Sequence, residues 1–138
     1  MNQFEFLEHT GDTKFKAFGK NLEESFSNAA LAMFSIMVDY TKVRPKLKHK
    51  IKIKGSDLKS LLYNWLEELL FLVDAKSFLL NKVESIKIDN KKFILEAIVI
   101  GDKAENYETI EWVKAPTYHD MEITNKHVQV VLDLWKRN

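Results

Sequence analysis

The feature that most constrains the fold of this chain is the order of its apolar patterns. After the second of two helical segments, strand-like segments follow one another with only short turns between them. Those segments span residues 83–88, 93–100, 107–115, 121–124 and 127–135. Because neighbouring parallel strands need a long crossover connection, usually a helix, this order favours antiparallel pairing. The sequence therefore predicts the α+β class and not a doubly wound fold.

The first half of the chain supplies both helices. Asn21 followed by Glu24 is typical of a helix start, and the apolar spacing behind them predicts a helix to about Met37. Ser56 and Asp57 are the expected caps of a second helix that ends near Lys76. Further strands are predicted over 4–9, 14–18 and 46–54, the last near a sheet edge.

The length of the chain, 138 residues, and its hydrophobic fraction of 46% fit one folded domain, 1–138. In that domain we expect two amphipathic helices packed on a largely antiparallel or mixed sheet. The sheet should contain about seven or eight strands.

Composition and missing motifs exclude several classes of protein. Lysine and arginine total 21 against 20 acidic residues, which gives no global attraction to nucleic acid or acidic membranes. The absence of cysteine excludes disulfides, thiolate zinc sites and cysteine nucleophiles. No nucleophile elbow, P-loop or His-Glu-x-x-His pair is present, so an enzyme acting alone is the weaker hypothesis. Without a membrane-spanning run or a signal peptide, we expect a cytoplasmic protein with no membrane partner.

Two aspartates near opposite ends of the chain are the main candidates for a functional site. Asp12 follows the opening strand, and Asp133 is set inside the apolar run 130–134. A carboxylate in such a strand is costly to desolvate without a partner, and a shared divalent cation would stabilise two of them. The sequence also leaves two simpler alternatives open: a turn role for Asp12 and exposure to water for Asp133.

Two further patterns have both a structural and a functional interpretation, and a third has a structural one only. The alternating lysines from 46 to 54 are interpreted as the solvated face of an exposed strand, with phosphate binding as the alternative. The stretch 113–121 is interpreted as a bulge or corner, with a polar loop beside a site as the alternative. The three tryptophans are predicted to lie in the core.

Five segments of the chain, in this order, resemble the archease family. They are 4–12 (FEFLEHTGD), 28–34 (NAALAMF), 61–70 (LLYNWLEELL), 113–121 (VKAPTYHDM) and 128–134 (VQVVLDL). The first is similar to the family's opening, with a histidine, a threonine, a small residue and an aspartate, and the last is similar to its closing strand. Each segment is only moderately specific, whereas five in order cover nearly the whole chain.

The resemblance implies a set of site residues. Carried over by position, the acidic metal ligands of the family are Asp12 and Asp133, with the main-chain carbonyl of Leu134 as a further ligand. The functional lysine of the family falls on Lys114. The residues expected around these groups are His9, Tyr118 and His119. The expected cofactor is a divalent metal ion: calcium, magnesium or manganese.

The resemblance also implies a function. Archeases are small accessory proteins of the GTP-dependent RNA ligase, called RtcB, that joins exons after transfer RNA splicing. The chain is therefore expected to promote guanylylation and repeated turnover of the ligase without being the catalyst. The ligase is the expected partner, transfer RNA is reached indirectly through the ligase, and the oligomeric state is left open.

Two other functions compete with this expectation. The first is a chaperone, or a modulator of methyltransferases that modify transfer RNA, which predicts an exposed apolar patch and needs no metal. The second is a metal-dependent phosphoester hydrolase, which predicts turnover by the isolated protein. The missing nucleophile and the few metal ligands argue against the hydrolase.

Overall fold

The computed structural model describes residues 2–8 and 12–135, and this part of the chain contains two α-helices, two short 3-10 helices and eight strands. The helices are α1 (Leu22–Met37) and α2 (Leu58–Lys76). The strands are β1 (Phe4–Leu7), β2 (Thr13–Phe18), β3 (Leu47–Lys54), β4 (Phe78–Asp89), β5 (Ile94–Lys103), β6 (Val113–Pro116), β7 (Glu122–Ile123) and β8 (His127–Leu134). The predicted α+β class is confirmed.

Helix α1 begins and ends where the sequence predicts. The side chain of Asn21 accepts a hydrogen bond from the Glu24 main-chain N–H at 2.9 Å, which satisfies one of the free donors of the first turn. The helix stops at Met37 because Val38 has extended backbone angles, and the N–H of Val38 donates to the Phe34 carbonyl. Phe26, Met33 and Met37 on its apolar face have no exposed surface, so packing against the core stabilises the helix.

Helix α2 is held at its start by a reciprocal pair of side-chain hydrogen bonds. Asp57 accepts from the Ser60 N–H at 2.7 Å, and the Ser60 hydroxyl accepts from the Asp57 N–H at 3.1 Å. The indole N–H of Trp65 donates to the Phe26 carbonyl at 2.9 Å and ties the two helices together inside the core. Neither helix in the described part of the chain is long and apolar enough to cross a membrane.

The strands form two antiparallel sheets, a division that the sequence analysis did not make. The five-stranded sheet has the order β1-β2-β8-β6, with β7 also paired to β8, and the three-stranded sheet has the order β3-β5-β4. Helix α1 contacts β2, β8 and β4, while α2 contacts strands of both sheets. The helices therefore share one core with the inner faces of both sheets. As predicted, β3 is an edge strand.

The strand predicted over 107–115 is wrong in its first half. Only Val113–Pro116 forms a strand, since residues 107–112 cross from the three-stranded to the five-stranded sheet. The crossing segment bonds to loops and a helix end: the Tyr107 hydroxyl accepts from the Arg44 N–H at 2.8 Å, and the Ile110 N–H donates to the Met37 carbonyl at 2.8 Å. These bonds hold the segment in place without a neighbouring strand.

Candidate functional site

Pairing of β2 with β8 brings the two ends of the chain together. The register joins Thr13 to Leu132 and Lys14 to Val131. Asp12 directly precedes Thr13, and Asp133 directly follows Leu132, so the two aspartates occupy the next positions at this end of the antiparallel pair. Residues 12 and 133 are far apart in the sequence, and only this long-range pairing makes them neighbours.

Strand alternation separates an inner and an outer face at this end of the sheet. Phe15, Val130 and Leu132 have no exposed surface and point towards the helices. Lys14 and Asp133 occupy the alternate positions and therefore belong to the outer face. Asp133 is half-buried there and Asp12 is exposed. The partial burial of Asp133 is consistent with its apolar neighbours in the sequence, and its carboxylate still lies at the protein surface.

Lys114 lies on the strand that borders Asp133. The register of β6 with β8 pairs Val113 with Leu134 and Ala115 with Asp133, and it shifts at Lys114 between them. The exposed Lys114 ammonium lies 5.0 Å from the centroid of the Trp135 ring, within the range of a cation–π interaction. The structure thus places Lys114 on the strand next to Asp133, at the same end of the sheet, where it also lines a pocket with Glu67 and Glu68 of α2.

The segment after β6 turns back over the outer face of the sheet. Both the N–H and the hydroxyl of Thr117 donate to the Val131 carbonyl, at 3.0 and 2.8 Å. Asp120, in the left-handed backbone region with φ of 52°, lies 3.5 Å from the Lys14 ammonium and 3.5 Å from Nε2 of His119. His119 is therefore connected to β2 through Asp120 and Lys14.

Tyr118 faces a different element. Its ring stacks on Tyr63 of α2, with centroids 4.5 Å apart and an interplanar angle of 10°. Burial, and then the negative charges of Asp57 and Glu67, raise the pKa of the Tyr118 hydroxyl above its ordinary value. Tyr118 thus anchors the segment to the helix, and His9, the third residue expected near the metal, lies outside the described residues.

The residues present supply few metal ligands. Across 2–8 and 12–135, no group of three or more histidine, aspartate or glutamate side chains could hold a metal ion. Asp12 and Asp133 offer carboxylate oxygens, and Leu134 offers a main-chain carbonyl, which are the hard ligands that calcium, magnesium and manganese prefer. These donors fit such an ion but leave most of its coordination positions to water or to a partner.

The sequence analysis missed the aromatic part of this surface. Trp65 is fully buried as predicted, but the prediction that all three tryptophans lie in the core is wrong, because Trp112 is 38% exposed and Trp135 is 58% exposed. Alternation along β8 already puts Trp135 on the same face as Asp133, and this was the signal available in the sequence. The Trp135 N–H donates to the Trp112 carbonyl at 3.0 Å, so the two residues are neighbours across β6 and β8.

Comparison with known proteins assigns the family. The model of the Archease protein family (MTH1598/TM1083) matches residues 4–134. The chain belongs to the archease family. The matched span includes Asp12, Lys114, Asp133 and Leu134 and stops one residue before Trp135. The family resemblance stated from the sequence is therefore confirmed.

Individual archeases cover almost all of the chain. It is 45% identical over 128 residues to the protein archease of Sulfurisphaera tokodaii, with 91% of each chain covered. It is 42% identical over 127 residues to that of Pyrococcus furiosus, with 89% of each covered. The solution structure of Methanobacterium thermoautotrophicum protein 1598 superposes with a TM-score of 0.80 at 37% identity, covering 97% of this chain and all of the other. The fold and the family thus agree.

Proposed function

We propose that this archease-family chain activates an RtcB-type, GTP-dependent RNA ligase of transfer RNA splicing. In this proposal it promotes guanylylation and repeated turnover of the ligase in the cytoplasm, reaches transfer RNA through the ligase, and is not itself the catalyst. Family membership supports the accessory role. The single observation that carries the proposal is the β2–β8 register, which brings Asp12 beside Asp133 on the sheet where Lys114 lies.

A divalent ion would be held at this place by carboxylate oxygens of Asp12 and Asp133 and by the carbonyl of Leu134. Such ions take about six or more oxygen ligands, so three donors from the chain leave room for water or for a group from the partner. When bound, the ion would supply positive charge for a phosphate or carboxylate of the ligase complex. An incomplete site of this kind suits an activator better than an enzyme that works alone.

Lys114 and the exposed tryptophans supply the remaining contacts of the proposed site. The ammonium of Lys114 is a mobile point charge with three donors, suited to a phosphate oxygen or a carboxylate. Contact with the Trp135 ring keeps this charge at the end of the sheet where the aspartates lie. Exposed tryptophans such as Trp112 and Trp135 are frequent anchors of protein interfaces, which supports direct contact with the ligase.

The proposal is tested by guanylylation of the ligase with GTP and manganese, with and without this chain. We expect Asp12→Ala and Asp133→Ala each to reduce the stimulation by at least about tenfold, a loss typical even of groups that only support a metal ligand. Glu105→Gln is the matched control, since Glu105 is an exposed carboxylate after β5 on the other sheet. A folded Asp133→Ala variant that stimulates fully would contradict the proposal.

Lys114→Ala separates the partner contact from metal binding. We expect this variant to bind manganese like the parent chain and to stimulate the ligase less, because Lys114 is not a proposed metal ligand. Lys126→Ala provides a lysine control at the far end of β8, where the Lys126 ammonium donates to the Lys20 carbonyl. Equal stimulation by the Lys114 and Lys126 variants would remove Lys114 from the proposed contact.

The second candidate function is a chaperone or a modulator of tRNA-modifying methyltransferases. It is favoured by one observation: several large apolar side chains are exposed in the described part of the chain, including Phe71 at 57%, Ile110 at 57% and Trp135 at 58%. This function predicts that the chain suppresses aggregation of a methyltransferase without any metal, and that Asp133→Ala leaves the suppression intact. The ligase assay and the aggregation assay therefore distinguish the two candidates.

A further inference from the structure

The outer face of the three-stranded sheet carries an array of exposed lysines, which we call the lysine face. The register places Lys48, Lys50 and Lys52 of β3 opposite Ile100, Ile98 and Glu96 of the central strand β5. From the other side, β4 places Lys82 opposite Ile100 and Lys87 opposite Glu96. Directly opposed residues of an antiparallel pair share a face, so these lysines project from one surface. The members of the lysine face are Lys48, Lys50, Lys52, Lys82 and Lys87, all exposed.

The lysine face has an excess of positive charge that the described acidic residues do not neutralise. Glu84 pairs with Lys48 at 3.1 Å, and Glu96 pairs with Lys52 at 3.4 Å. Within the described residues no acidic side chain pairs with Lys50, Lys82 or Lys87. The near-neutral composition of the whole chain therefore hides a local basic surface, which the sequence analysis could not separate from an ordinary solvated strand.

The shape of the lysine face is that of a shallow trough. Lys50, Lys52 and Lys87 line its sides, and the half-buried Ile98 lies between them on β5. The helices pack against the opposite face of the same sheet, where Leu95 and Val99 have no exposed surface. The lysine face thus points away from the core.

The geometry points to a direct contact between the lysine face and the phosphate backbone of RNA. Alternate residues of a strand are about 6.8 Å apart, and Lys48, Lys50 and Lys52 follow one another at this spacing along β3. Since Glu84 and Glu96 pair with the two outer lysines, the cations left for a ligand are Lys50 on β3 and Lys82 and Lys87 on β4. The phosphates of a nucleic-acid strand complement cations spread over one face in this way. No aromatic side chain occurs among the trough residues, so binding should depend on the phosphate charges and not on the base sequence.

This inference goes beyond the proposed function, in which transfer RNA is reached only through the ligase. It also does not depend on the aspartates, because the lysine face belongs to the other sheet and is built from β3 and the β4–β5 hairpin. An activator with both surfaces would hold the ligase with one sheet and the RNA substrate with the other.

The test is fluorescence anisotropy of labelled transfer RNA with the full chain over a series of salt concentrations. We expect the triple variant Lys50→Gln, Lys82→Gln, Lys87→Gln to bind about tenfold or more weakly at about 50 mM salt. The slope of the logarithm of the binding constant against the logarithm of the salt concentration should fall in magnitude by about two to three. Each lost phosphate contact lowers this slope by about 0.7–0.9. The matched control replaces the exposed Lys20, Lys42 and Lys59 by glutamine, which changes the net charge equally.

Three results would overturn the inference. The first is no measurable binding of transfer RNA by the parent chain at low salt. The second is equal weakening in the triple variant and its control, which would leave only net charge as the cause. The third is that the lysine face retains anionic phospholipid vesicles more tightly than RNA, which would make a membrane surface the ligand.

Guanylylation of the ligase without RNA distinguishes this inference from the proposed function. The triple lysine variant should stimulate that reaction like the parent chain, whereas Asp133→Ala should stimulate it poorly. Conversely, Asp133→Ala should bind transfer RNA like the parent chain. Loss of both activities in the triple variant would contradict the independence of the two surfaces.

Discussion

One end of the five-stranded sheet combines carboxylates on its outer face with a nearby lysine and two exposed tryptophans, whereas the outer face of the three-stranded sheet is dominated by lysines. The first face is assembled from β2, β6 and β8, which come from both ends of the chain. The second comes from β3 and a single hairpin. Both sheets lie on the same pair of helices, so one core positions two chemically different surfaces. The difference shows that alternation along strands sets which residues are exposed, while long-range pairing decides which of them meet.

Destabilising the helical core on which both sheets lie should disturb the outer faces of both sheets. Trp65 is fully buried, and its indole bonds to the Phe26 carbonyl at 2.9 Å. We expect Trp65→Ala to lower the free energy of unfolding by about 3–5 kcal/mol, the usual cost of deleting a buried aromatic ring. Urea denaturation of the variant and the parent chain measures this difference.

Trp135→Ala is the matched control for the buried tryptophan. Since Trp135 is 58% exposed, its removal should change the free energy of unfolding by no more than about 0.5 kcal/mol. A loss in Trp135→Ala equal to that in Trp65→Ala would show that the end of β8 contributes to the core and is not a free contact surface.

Gly101→Ala should destabilise the three-stranded sheet more than the five-stranded sheet. A Cβ atom at Gly101, in the central strand β5, would overlap the Leu79 carbonyl of β4, and the backbone would have to move. We expect destabilisation of about 1–3 kcal/mol, typical of overpacking, with the loss concentrated in the three-stranded sheet. Hydrogen exchange should quicken more in β3, β4 and β5 than in β2 and β8. A uniform increase over both sheets would mean that they do not loosen separately.

The comparison also shows how far the sequence determines the fold and the site. The helix boundaries were predictable because the caps Asn21 and Asp57 lie directly before apolar stripes. The β4–β5 hairpin was predictable because its turn is local. The division into two sheets was not, since it depends on which distant strands pair, and no local pattern records that β8 lies beside β2.

The candidate site shows the same division between local and long-range information. Asp12, Asp133 and Lys114 were proposed from residue type and family resemblance, and the register supplies their proximity. The exposure of Trp112 and Trp135 was missed because apolar composition alone does not tell a core residue from a contact residue. The lysine face was not predicted as a binding surface, because only the pairing of β3 and β4 with β5 brings their lysines onto one face.

Substitution of the N-cap of α1 tests a contribution to stability that both sheets share. Asn21→Ala removes the acceptor for the Glu24 N–H and should cost about 1 kcal/mol, whereas Asn21→Ser retains an acceptor and should cost less. Because α1 contacts β2, β8 and β4, the loss should appear equally in probes on either sheet. Thermal unfolding followed by circular dichroism measures it, and equal stability of the alanine and serine variants would contradict a capping role.

The smallest expected effect is a pH dependence at the crossing between the sheets. The Tyr107 hydroxyl donates to the Asp102 carboxylate at 2.7 Å, and this bond, followed by one from the Lys103 N–H, holds the pKa of Asp102 below its ordinary value. A depressed pKa adds stability above the pKa of the unfolded chain, about 3.9, and this stability is lost as the pH falls through the folded-state value.

Tyr107→Phe measures this contribution. The stability gap between the variant and the parent chain should be largest near neutral pH. It should shrink as the pH falls below the aspartate pKa of the unfolded chain, about 3.9, towards the lower folded-state pKa of Asp102. A remainder independent of pH would report the lost bond from the Arg44 N–H. A gap that stays constant down to pH 2 would show that the Asp102 charge is not involved. Thermal unfolding at several pH values gives the comparison.

In the proposed function, Asp12 and Asp133 share one divalent cation. The most direct measurement is a titration of the isotope-labelled chain with manganese, followed by paramagnetic broadening of its amide signals. We expect the signals of residues 12–14 and 131–134 to broaden first, and we expect Asp12→Asn and Asp133→Asn each to abolish this broadening. Broadening centred on other carboxylates, or unchanged in both variants, would contradict a shared site.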